Sequence, residues 1–402
     1  MNFLFLTLSK FENLDEKQIY NDIFKELAKR GHTIYIVCPE SKNSVNNNFD
    51  NIYIERVDIK EIRNVNKFKK GLRLIQLEKI YFKKIKSAIP LESIDVLMYS
   101  TPPITFNNIV SKIKKSNNKI KTVLVLKDIF PQNAVDLKFI KDKSVVHTYF
   151  KRREDNLYKL SDLIGCMSPA NIEYIKEHNK IDEKKIFLFR NSLYKNNVTL
   201  DEKESKKIIT KYNIDENRNL FLYGGNLGIP QYIDGIKHFI KNFYKVENSQ
   251  LIIIGDGTEY NKLEQYINQI NNDNIRIYKK VSKIEFDSLM KFVDVGLIFL
   301  HPNFTIPNFP SRFSSYLDFE VPVLASTDLA TDMGKIITDN QLGYWSYAKN
   351  SDELIENAIK LTDKLRRNQM SLKAKELFEK EYAIEVNVDN LLKELKKLEK
   401  NI

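Results

Sequence analysis

Two glycine-rich turns in the second half of the chain contain the residue types that bind phosphate groups. Tyr223-Gly-Gly-Asn-Leu-Gly-Ile-Pro-Gln231 follows one apolar run, and Gly255-Asp-Gly257 follows another. Glycine lets backbone N–H groups approach an anion closely, and a helix that begins after such a turn presents the positive end of its dipole. Packing of a helix against a strand explains either turn equally well when it is taken alone. The expected anion-binding residues are Gly224, Gly225, Asn226, Gly228, Gln231, Gly255 and Gly257.

The position of these turns argues against a dinucleotide-binding oxidoreductase. The Gly-x-Gly-x-x-Gly turn of such enzymes follows the first strand, with an acidic residue about 20 positions further on. In this chain the segment after the first apolar run is Ser9-Lys-Phe-Glu-Asn13. We therefore expect the phosphate site in a second domain.

Alternating apolar and helical patterns predict two α/β domains in tandem. Residues 3–8 predict a strand, Glu16–Arg30 an amphipathic helix and Thr33–Val37 a second strand, which together indicate a parallel sheet. A polar stretch near residues 191–215 is typical of a linker or a peripheral helix. Further strands are expected at residues 95–99, 121–126, 162–167, 220–223, 250–255, 275–278, 293–299 and 321–325. The predicted domains are residues 1–195 and 196–370, with a charged helical segment, 371–402, packing back on the first domain.

Composition restricts the partners and the chemistry. The 402 residues include 64 Lys and Arg against 53 Asp and Glu, which favours an anionic partner but is equally typical of solvated helix faces. Cys38 and Cys166 lie in apolar runs and the five histidines are scattered, so we expect neither a disulfide framework nor a metal site. Residues 1–7 predict a buried strand rather than a signal peptide, and no apolar run is long enough for a membrane span. These features predict a cytoplasmic protein.

A loop, a short helix and a strand follow the glycine turns. Pro310-Ser-Arg-Phe-Ser-Ser-Tyr-Leu-Asp-Phe-Glu-Val-Pro-Val323 resembles the Pro-Ser-Lys-x-x-x-Tyr-Leu-x-x-Gly-x-Pro-Val stretch of bacterial family 4 glycosyltransferases. The resemblance implies the GT-B fold, with two Rossmann-like parallel-sheet domains facing a cleft. It also implies that a nucleotide-sugar diphosphate binds at the glycine turns and at this helix, where Ser311 offers a backbone N–H and Arg312 a charged donor.

A second motif carries the resemblance into the first half. Lys127-Asp-Ile-Phe-Pro-Gln-Asn-Ala-Val-Asp136 is similar to the Arg-Asp-Ile-Phe-Pro-Glu-x-Ala-Val-Asp motif of the capsule and O-antigen branch, and Ser100-Thr-Pro-Pro-Ile104 matches that branch too. The branch includes enzymes assigned as N-acetyl-L-fucosamine transferases of capsular polysaccharide synthesis. The resemblance implies a retaining transferase of the hexosyltransferase type (EC 2.4), using a UDP-sugar and a polyprenyl-diphosphate-linked saccharide. The absence of an Asp-x-Asp motif agrees with metal-independent transfer and with no cofactor.

Four departures from the family pattern bear on the donor site. The Glu-x7-Glu pair of the wider family would fall at Pro307 and Ser315, so its ribose contact does not carry over. Arg312 replaces the usual Lys, and Glu320 replaces the Gly that ends the helix. Because no Lys or Arg follows the first glycine turn, we expect the diphosphate charge to be met by Arg312, by backbone dipoles and by Lys279 or Lys280.

Candidate acceptor-side residues lie in the first half. Asp128 follows the buried run 122–126 at a strand end, where its carboxylate could accept or orient the acceptor proton. A helix-capping role before Ile129 explains Asp128 equally well. Glu12 and Asp15 in the first loop, together with Lys127, are further acceptor-side candidates.

A basic amphipathic stretch suggests contact with a membrane. Residues 60–86 contain ten Lys and Arg, against Glu61 and Glu78, interleaved with apolar residues. Such a segment suits an anionic membrane surface, at about 1 kcal/mol for each basic residue near the lipid, but an ordinary solvated helix has the same pattern. A lipid-linked acceptor would place the protein peripherally on the inner face of the plasma membrane.

The two rival functions are nucleic-acid binding and nucleotide-sugar epimerisation. Nucleic-acid binding is not expected, since neither aromatic stacking platforms nor a groove-reading helix motif is apparent. A GT-B-fold nucleotide-sugar epimerase, which would consume the donor without an acceptor, is opposed only by the capsule-branch motifs.

Overall fold

The computed structural model describes residues 1–11, 13–40, 49–59 and 67–400, with side chains except those of residues 67–76. The described residues divide into two compact units. The first unit comprises Met1–Ser192 and Ile384–Ile402, and the second comprises Leu193–Ala383. Both are parallel α/β sheets, so the predicted fold class is confirmed.

The first unit is built on a parallel sheet that has seven strands among the described residues. Their order is β3-β2-β1-β4-β5-β6-β7, so the chain reverses its direction across the sheet between β1 and β4. Apolar runs form the central strands because both faces of a parallel sheet are covered by helices. The strands are β1 (Asn2–Leu6), β2 (Thr33–Pro39), β3 (Ile52–Val57), β4 (Val96–Thr101), β5 (Lys121–Leu126), β6 (Leu163–Cys166) and β7 (Ile186–Leu188).

Helices of the first unit include one from the end of the chain. They are α1 (Ile19–Lys29), α2 (Lys67–Ala88), α3 (Asn107–Ser116), α4 (Gln132–Asp136), α5 (Val145–Leu160), α6 (Pro169–His178) and, from the C-terminal segment, α15 (Ile384–Lys400). Helix α15 packs against α1. Arg30, just beyond α1, forms an ion pair with Asp389 and donates from Nη2 to the carbonyl oxygen of Glu385 at 3.3 Å.

The second unit repeats the plan with six parallel strands, all within the described range 193–383. Their order is β10-β9-β8-β11-β12-β13, with the switch in direction between β8 and β11. Ligands of open parallel sheets bind beyond the carboxyl ends of strands at such a switch. The strands are β8 (Asn219–Asn226), β9 (Ser249–Asp256), β10 (Ile275–Lys279), β11 (Val295–Phe299), β12 (Val323–Thr327) and β13 (Gly343–Tyr347).

Helices cover both faces of this second sheet. They are α7 (Glu202–Tyr212), α8 (Ile233–Asn242), α9 (Tyr260–Ile270), α10 (Lys283–Met290), α11 (Arg312–Asp318), α12 (Met333–Asp339), α13 (Ser351–Lys360) and α14 (Lys364–Leu377). Helix α7 lies in the polar stretch near 191–215 and begins with a capping box, in which Asp201 accepts from the N–H of Glu204 at 2.7 Å.

The unit boundaries differ from those expected from sequence. They fall after Ser192 and Ala383 instead of after residues 195 and 370, so residues 371–383 belong to the second unit and not to the returning helix. The reason is packing: α14 lies against α11, and the Tyr382 ring contacts the Phe313 ring at a centroid distance of 5.6 Å. No described helix is long and apolar enough to cross a membrane.

Candidate functional site

The two glycine turns lie side by side at the carboxyl ends of β8 and β9. Gly225 pairs with Gly255, and Asn226 with Asp256, in the parallel register. A Cβ on Gly255 would lie 2.0 Å from the carbonyl oxygen of Gly225, and a Cβ on Gly257 would lie 2.3 Å from that of Leu227. Gly225 and Gly257 also adopt φ angles of +143° and +155°, which disfavour any side chain. The backbone of both turns therefore requires glycine at these positions.

Arg312 lies directly beneath the first turn. A Cβ on Gly225 would lie 2.7 Å from Arg312 Nη2, and Arg312 Cζ lies 4.4 Å from the centroid of the Tyr223 ring. Arg312 Nη1 is buried and finds no hydrogen-bond acceptor in the part of the chain that the structure describes. A buried charged donor without an acceptor is costly, and a ligand oxygen would remove that cost. The arrangement can therefore bind an anion at the turn.

Two tyrosines hold this arginine and the strands in place. Tyr223 donates to the carbonyl oxygen of Asn226 at 2.7 Å, and Tyr316 on α11 donates to those of Leu222 and Leu297 at 3.1 Å each. Burial raises the pKa of Tyr223, while the neighbouring Arg312 opposes that rise. Sequence reasoning did not assign a role to either tyrosine, although Tyr316 stands in the quoted Pro-Ser-Arg motif.

Asn226 and Gln231 stabilise the turn from within. Asn226 Nδ2 donates to Gln231 Oε1 at 2.7 Å, and the same oxygen accepts from the N–H of Gly228 at 3.2 Å. The Gln231 carboxamide oxygen is thus occupied by the turn itself. The free carboxamide N–H groups of Gln231 remain the part of this side chain that can reach a ligand.

The remaining predicted donor-side residues lie on the surface of the second unit. Lys280 is exposed and follows β10, while Lys279 Nζ lies 5.1 Å from the centroid of the Tyr260 ring. Ser311 is exposed, precedes α11, and makes no side-chain capping bond. Its backbone N–H is near the start of a helix of seven residues.

His301, which sequence reasoning left without a role, ties the loop after β11 to the first glycine turn. Its N–H donates to the carbonyl oxygen of Pro230 at 2.9 Å, and its ring packs against Tyr232 and Phe304. Burial lowers the pKa of His301, with Asp234 opposing the shift. The sequence feature that could have indicated this role is the position of His301, two residues after the end of the buried strand β11.

In the first unit, Asp128 lies beyond the end of β5. Asp128 Oδ1 accepts from Asn133 Nδ2 at 2.6 Å, and its carbonyl oxygen accepts from Thr101 Oγ1 at 3.2 Å. Burial raises the pKa of Asp128 to about 6, although hydrogen bonds from Asn133 and from the N–H of Ile129 oppose the shift. Helix α4 begins at Gln132 with Pro131 in the capping position, so Asp128 does not cap it.

Lys127, next to Asp128, also has a pKa displaced from its ordinary value. Its Nζ donates to Asn191 Oδ1 at 2.6 Å and lies 5.9 Å from the centroid of the Phe189 ring. Burial lowers the pKa of Lys127 to about 7. A carboxyl group and an amine that both titrate near neutral pH can exchange protons with a substrate at that pH.

The first loop contains the two remaining acceptor-side candidates, Glu12 and Asp15. Asp15 is exposed, and its N–H donates to Asn13 Oδ1 at 2.9 Å. Glu12 lies outside the described residues. Among the described residues, no group of three or more His, Cys, Asp or Glu is arranged to hold a metal ion.

Family models match both halves of the chain. The model described as Glycosyltransferase Family 4 matches residues 20–193, and the model described as Glycosyl transferases group 1 matches residues 204–377. Over 241 residues, 60% of its length, the chain is 22% identical to the probable glycosyltransferase WbjE of Pseudomonas aeruginosa. The match spans 59% of that relative's length.

Solved GT-B structures resemble the whole chain. Sucrose-phosphate synthase from Thermosynechococcus elongatus covers 100% of this chain and is itself covered completely, with a TM-score of 0.78 and 12% identity. HepE from Anabaena, solved with UDP and glucose, has a TM-score of 0.69 and 14% identity, covering 99% of this chain and 100% of its own. WaaG, a glycosyltransferase of lipopolysaccharide biosynthesis, has a TM-score of 0.67 and 14% identity, with 96% and 98% covered. At these identities the likeness establishes the fold.

Proposed function

The chain belongs to the family 4 glycosyltransferases of the GT-B fold, and from this premise we propose that it transfers a sugar from a UDP-sugar to a lipid-linked saccharide. In the reaction the acceptor hydroxyl oxygen forms a bond to the anomeric carbon of the donor. The bond from that carbon to the diphosphate oxygen breaks, and UDP leaves with the electron pair. Catalysis requires stabilisation of the departing diphosphate and a path for the hydroxyl proton.

The unpartnered guanidinium nitrogen of Arg312 is the observation that carries the proposal. It lies beneath Gly225, which has no side chain, next to the turn that contains Gly255 and Gly257. A diphosphate oxygen at the turn would accept from Arg312 and from backbone N–H groups, with Lys280 and the N–H of Ser311 as further donors. These donors neutralise the charge that develops on UDP without a metal ion.

One structural relative, HepE, supports UDP as the nucleotide. HepE was solved with UDP and with UDP-glucose, and it shares the fold of this chain. The ribose contact remains open in our proposal, because Pro307 and Ser315 stand where the wider family has carboxylates.

Asp128 serves the acceptor in this proposal. Its carboxylate accepts a hydrogen bond from the acceptor hydroxyl, orients it and takes up its proton. A pKa near 6 leaves the carboxylate ionised at neutral pH yet basic enough to take part. Lys127, Asp15 and Glu12 are proposed as acceptor-side residues, and retention of configuration rests on resemblance to the family.

The proposed acceptor is a polyprenyl-diphosphate-linked saccharide used in capsule or O-antigen synthesis, and the proposed sugar is N-acetyl-L-fucosamine. Support comes from residues 100–104 and 127–136, which resemble the capsule branch. An acceptor of this type places the protein peripherally on the cytoplasmic face of the plasma membrane. Residues 60–86 are a proposed contact, of which 60–66 lie outside the described residues and 67–86 lie in α2.

Calorimetry with UDP, GDP and ADP, without added metal, tests the donor site. We expect selective UDP binding that Arg312→Ala weakens by roughly 10- to 100-fold, because a charged hydrogen bond contributes about 1.5–3 kcal/mol. Arg366→Ala is the matched control, since Arg366 is an exposed arginine of the same unit that donates to the Tyr344 hydroxyl. Failure of the folded protein to bind any nucleotide, or equal UDP binding by wild type and Arg312→Ala, would refute the proposed donor site.

A second assay separates transfer from epimerisation. Transfer releases UDP only when acceptor is present, whereas an epimerase converts the donor alone. We expect UDP release to depend on the acceptor; conversion of the UDP-sugar in its absence would contradict the transferase proposal.

A further inference from the structure

Four large apolar side chains protrude from the first unit between α4 and the first turns of α5. Phe139, Val145, Val146 and Tyr149 are 60%, 88%, 53% and 43% exposed. A single exposed apolar side chain needs no explanation, but several within eleven residues form a patch that marks an interaction surface.

The backbone that carries this patch is held in place. The N–H groups of Phe139 and Ile140 both donate to the carbonyl oxygen of Ala134, at 2.8 and 3.1 Å. Ser144 caps α5 by accepting from the N–H of His147 at 3.2 Å. Because the apolar side chains are already positioned by these bonds, a partner would bind them with little additional loss of backbone entropy.

Basic residues alternate in sequence with the apolar residues of the patch. Lys138, Lys141, Lys143 and Arg152 are all exposed, and none forms an ion pair with a described acidic residue. Residues 138–152 contain a single acid, Asp142. A segment that combines exposed apolar side chains with an excess of exposed positive charge matches the interface of an anionic bilayer, where acyl chains lie beneath phosphate groups.

The patch is continuous with the proposed acceptor site. The Tyr149 ring contacts the Phe150 ring at a centroid distance of 5.2 Å, and Phe150 contacts Phe130 at 5.0 Å. Phe130 lies two residues after Asp128. A surface in contact with lipid at Tyr149 would therefore bring the Asp128 strand end close to the membrane.

We propose that this basic-apolar surface, residues 138–152, docks the protein on an anionic phospholipid bilayer. Phe139, Val145, Val146 and Tyr149 enter the headgroup region, while the flanking lysines and Arg152 pair with phosphates. The surface is distinct in sequence from residues 60–86, although α2 and α5 both pack against the short helix Ile104–Phe106. Its use in presenting a lipid-linked acceptor to Asp128 rests on the proposed function; docking itself does not.

Flotation of the full-length protein with phosphatidylglycerol-containing vesicles tests docking. We expect the double variant Val145→Glu/Val146→Glu to bind these vesicles at least about tenfold more weakly, because two apolar anchors are replaced by charges that the lipid repels. Acidic residues suit the first turn of a helix, so the variant should fold. The matched control is Leu365→Glu/Leu372→Glu on α14, where the leucines are 76% and 61% exposed.

The charge contribution is measured separately. Lys141→Gln/Lys143→Gln should weaken binding by about fivefold for each lysine, with Lys203→Gln/Lys207→Gln on α7 as a control of equal charge. Neutral phosphatidylcholine vesicles should bind wild type weakly. The proposal is overturned if the residue 138–152 variants and their controls bind alike, if neutral vesicles bind as well as anionic ones, or if Val145→Glu/Val146→Glu only abolishes self-association.

Transfer assays distinguish failure of docking from failure of the proposed function. Val145→Glu/Val146→Glu should retain transfer to a detergent-soluble acceptor while transfer to acceptor in anionic vesicles falls with binding. Loss of transfer to both would overturn the docking role. A wild-type protein that floats with vesicles in the expected pattern but transfers to neither acceptor would contradict the proposed function and leave docking supported.

Discussion

At the carboxyl ends of its strands, the second unit presents backbone N–H groups and a guanidinium, whereas the first unit presents a carboxyl group and an amine with displaced pKa values. Arg312 supplies guanidinium N–H donors, and the glycine turns supply backbone N–H donors that do not titrate. Burial raises the pKa of Asp128 to about 6 and lowers the pKa of Lys127 to about 7. The donor groups of the second unit should therefore keep their protonation as pH changes, whereas chemistry at the first unit should depend on pH.

The largest expected effect is loss of transfer on replacing Asp128. Asp128→Asn keeps the shape and can still accept from Asn133, but it has no basic carboxylate. We expect the turnover number to fall about 10²- to 10⁴-fold, the usual contribution of a general base, with UDP affinity unchanged. Steady-state kinetics together with UDP calorimetry measure both quantities. A parallel loss of UDP binding would show that the two regions are not separable as we describe.

Gly225→Ala should weaken UDP binding, the quantity that Asp128→Asn leaves unchanged. The new Cβ would meet Arg312 Nη2 at 2.7 Å in a backbone at φ +143°, so the guanidinium or the turn must move. UDP binding would have to restore the original positions of the turn and the guanidinium against strain of about 1–3 kcal/mol. We therefore expect roughly 5- to 150-fold weaker UDP binding, measured by calorimetry. Gly31→Ala is the control, since Gly31 also has a positive φ, +79°, but no atom within 4 Å of the added Cβ. Equal UDP affinity of Gly225→Ala and wild type would remove Arg312 from the donor site.

Much of the fold was predictable from sequence because central parallel strands are continuous apolar runs. The strands that were missed lie at or near the sheet edges, where apolar content is lower. β3 contains Glu55 and Arg56, β7 has three residues, and β13 begins at Gly343. Residues 371–383 were misassigned because their charge pattern continues that of α15, whereas the contact of Tyr382 with Phe313 is visible only in the structure.

The candidate site was predictable in position but not in its electrostatics. Glycines and Arg312 could be found because turns and motifs are local in sequence. The displaced pKa of Lys127 depends on burial near Phe189 and Asn191, about sixty residues away. The pairing of Asn226 with Gln231 depends on the folded turn, so sequence indicated two ligand side chains where the structure has a mutual hydrogen bond.

Stability should also depend on Asp128. Its pKa is raised in the folded state from 3.8 to about 6, so folding resists its ionisation. The cost is absent below pH 3.8, grows as pH rises, and is complete above about pH 6. Asp128→Asn removes it and should raise the free energy of unfolding by up to about 3 kcal/mol at pH 7.5, but much less at pH 4.5. Urea denaturation at both pH values measures this; a gain equal at both would point to packing instead of charge.

The smallest expected effect is a shift in the pH dependence of transfer. Asn133 donates to Asp128 Oδ1 and thereby lowers the carboxyl pKa against burial. Asn133→Ala should move the acidic limb of the pH–rate profile upward by about half a unit to one unit, since one such bond contributes about 1 kcal/mol. Asn226→Ala, which removes an asparagine hydrogen bond in the glycine turn, should leave that limb in place. An unshifted limb in Asn133→Ala would mean that a group other than Asp128 sets the pH dependence. The strand ends of the two units would then differ in their geometry and not in the titration of Asp128.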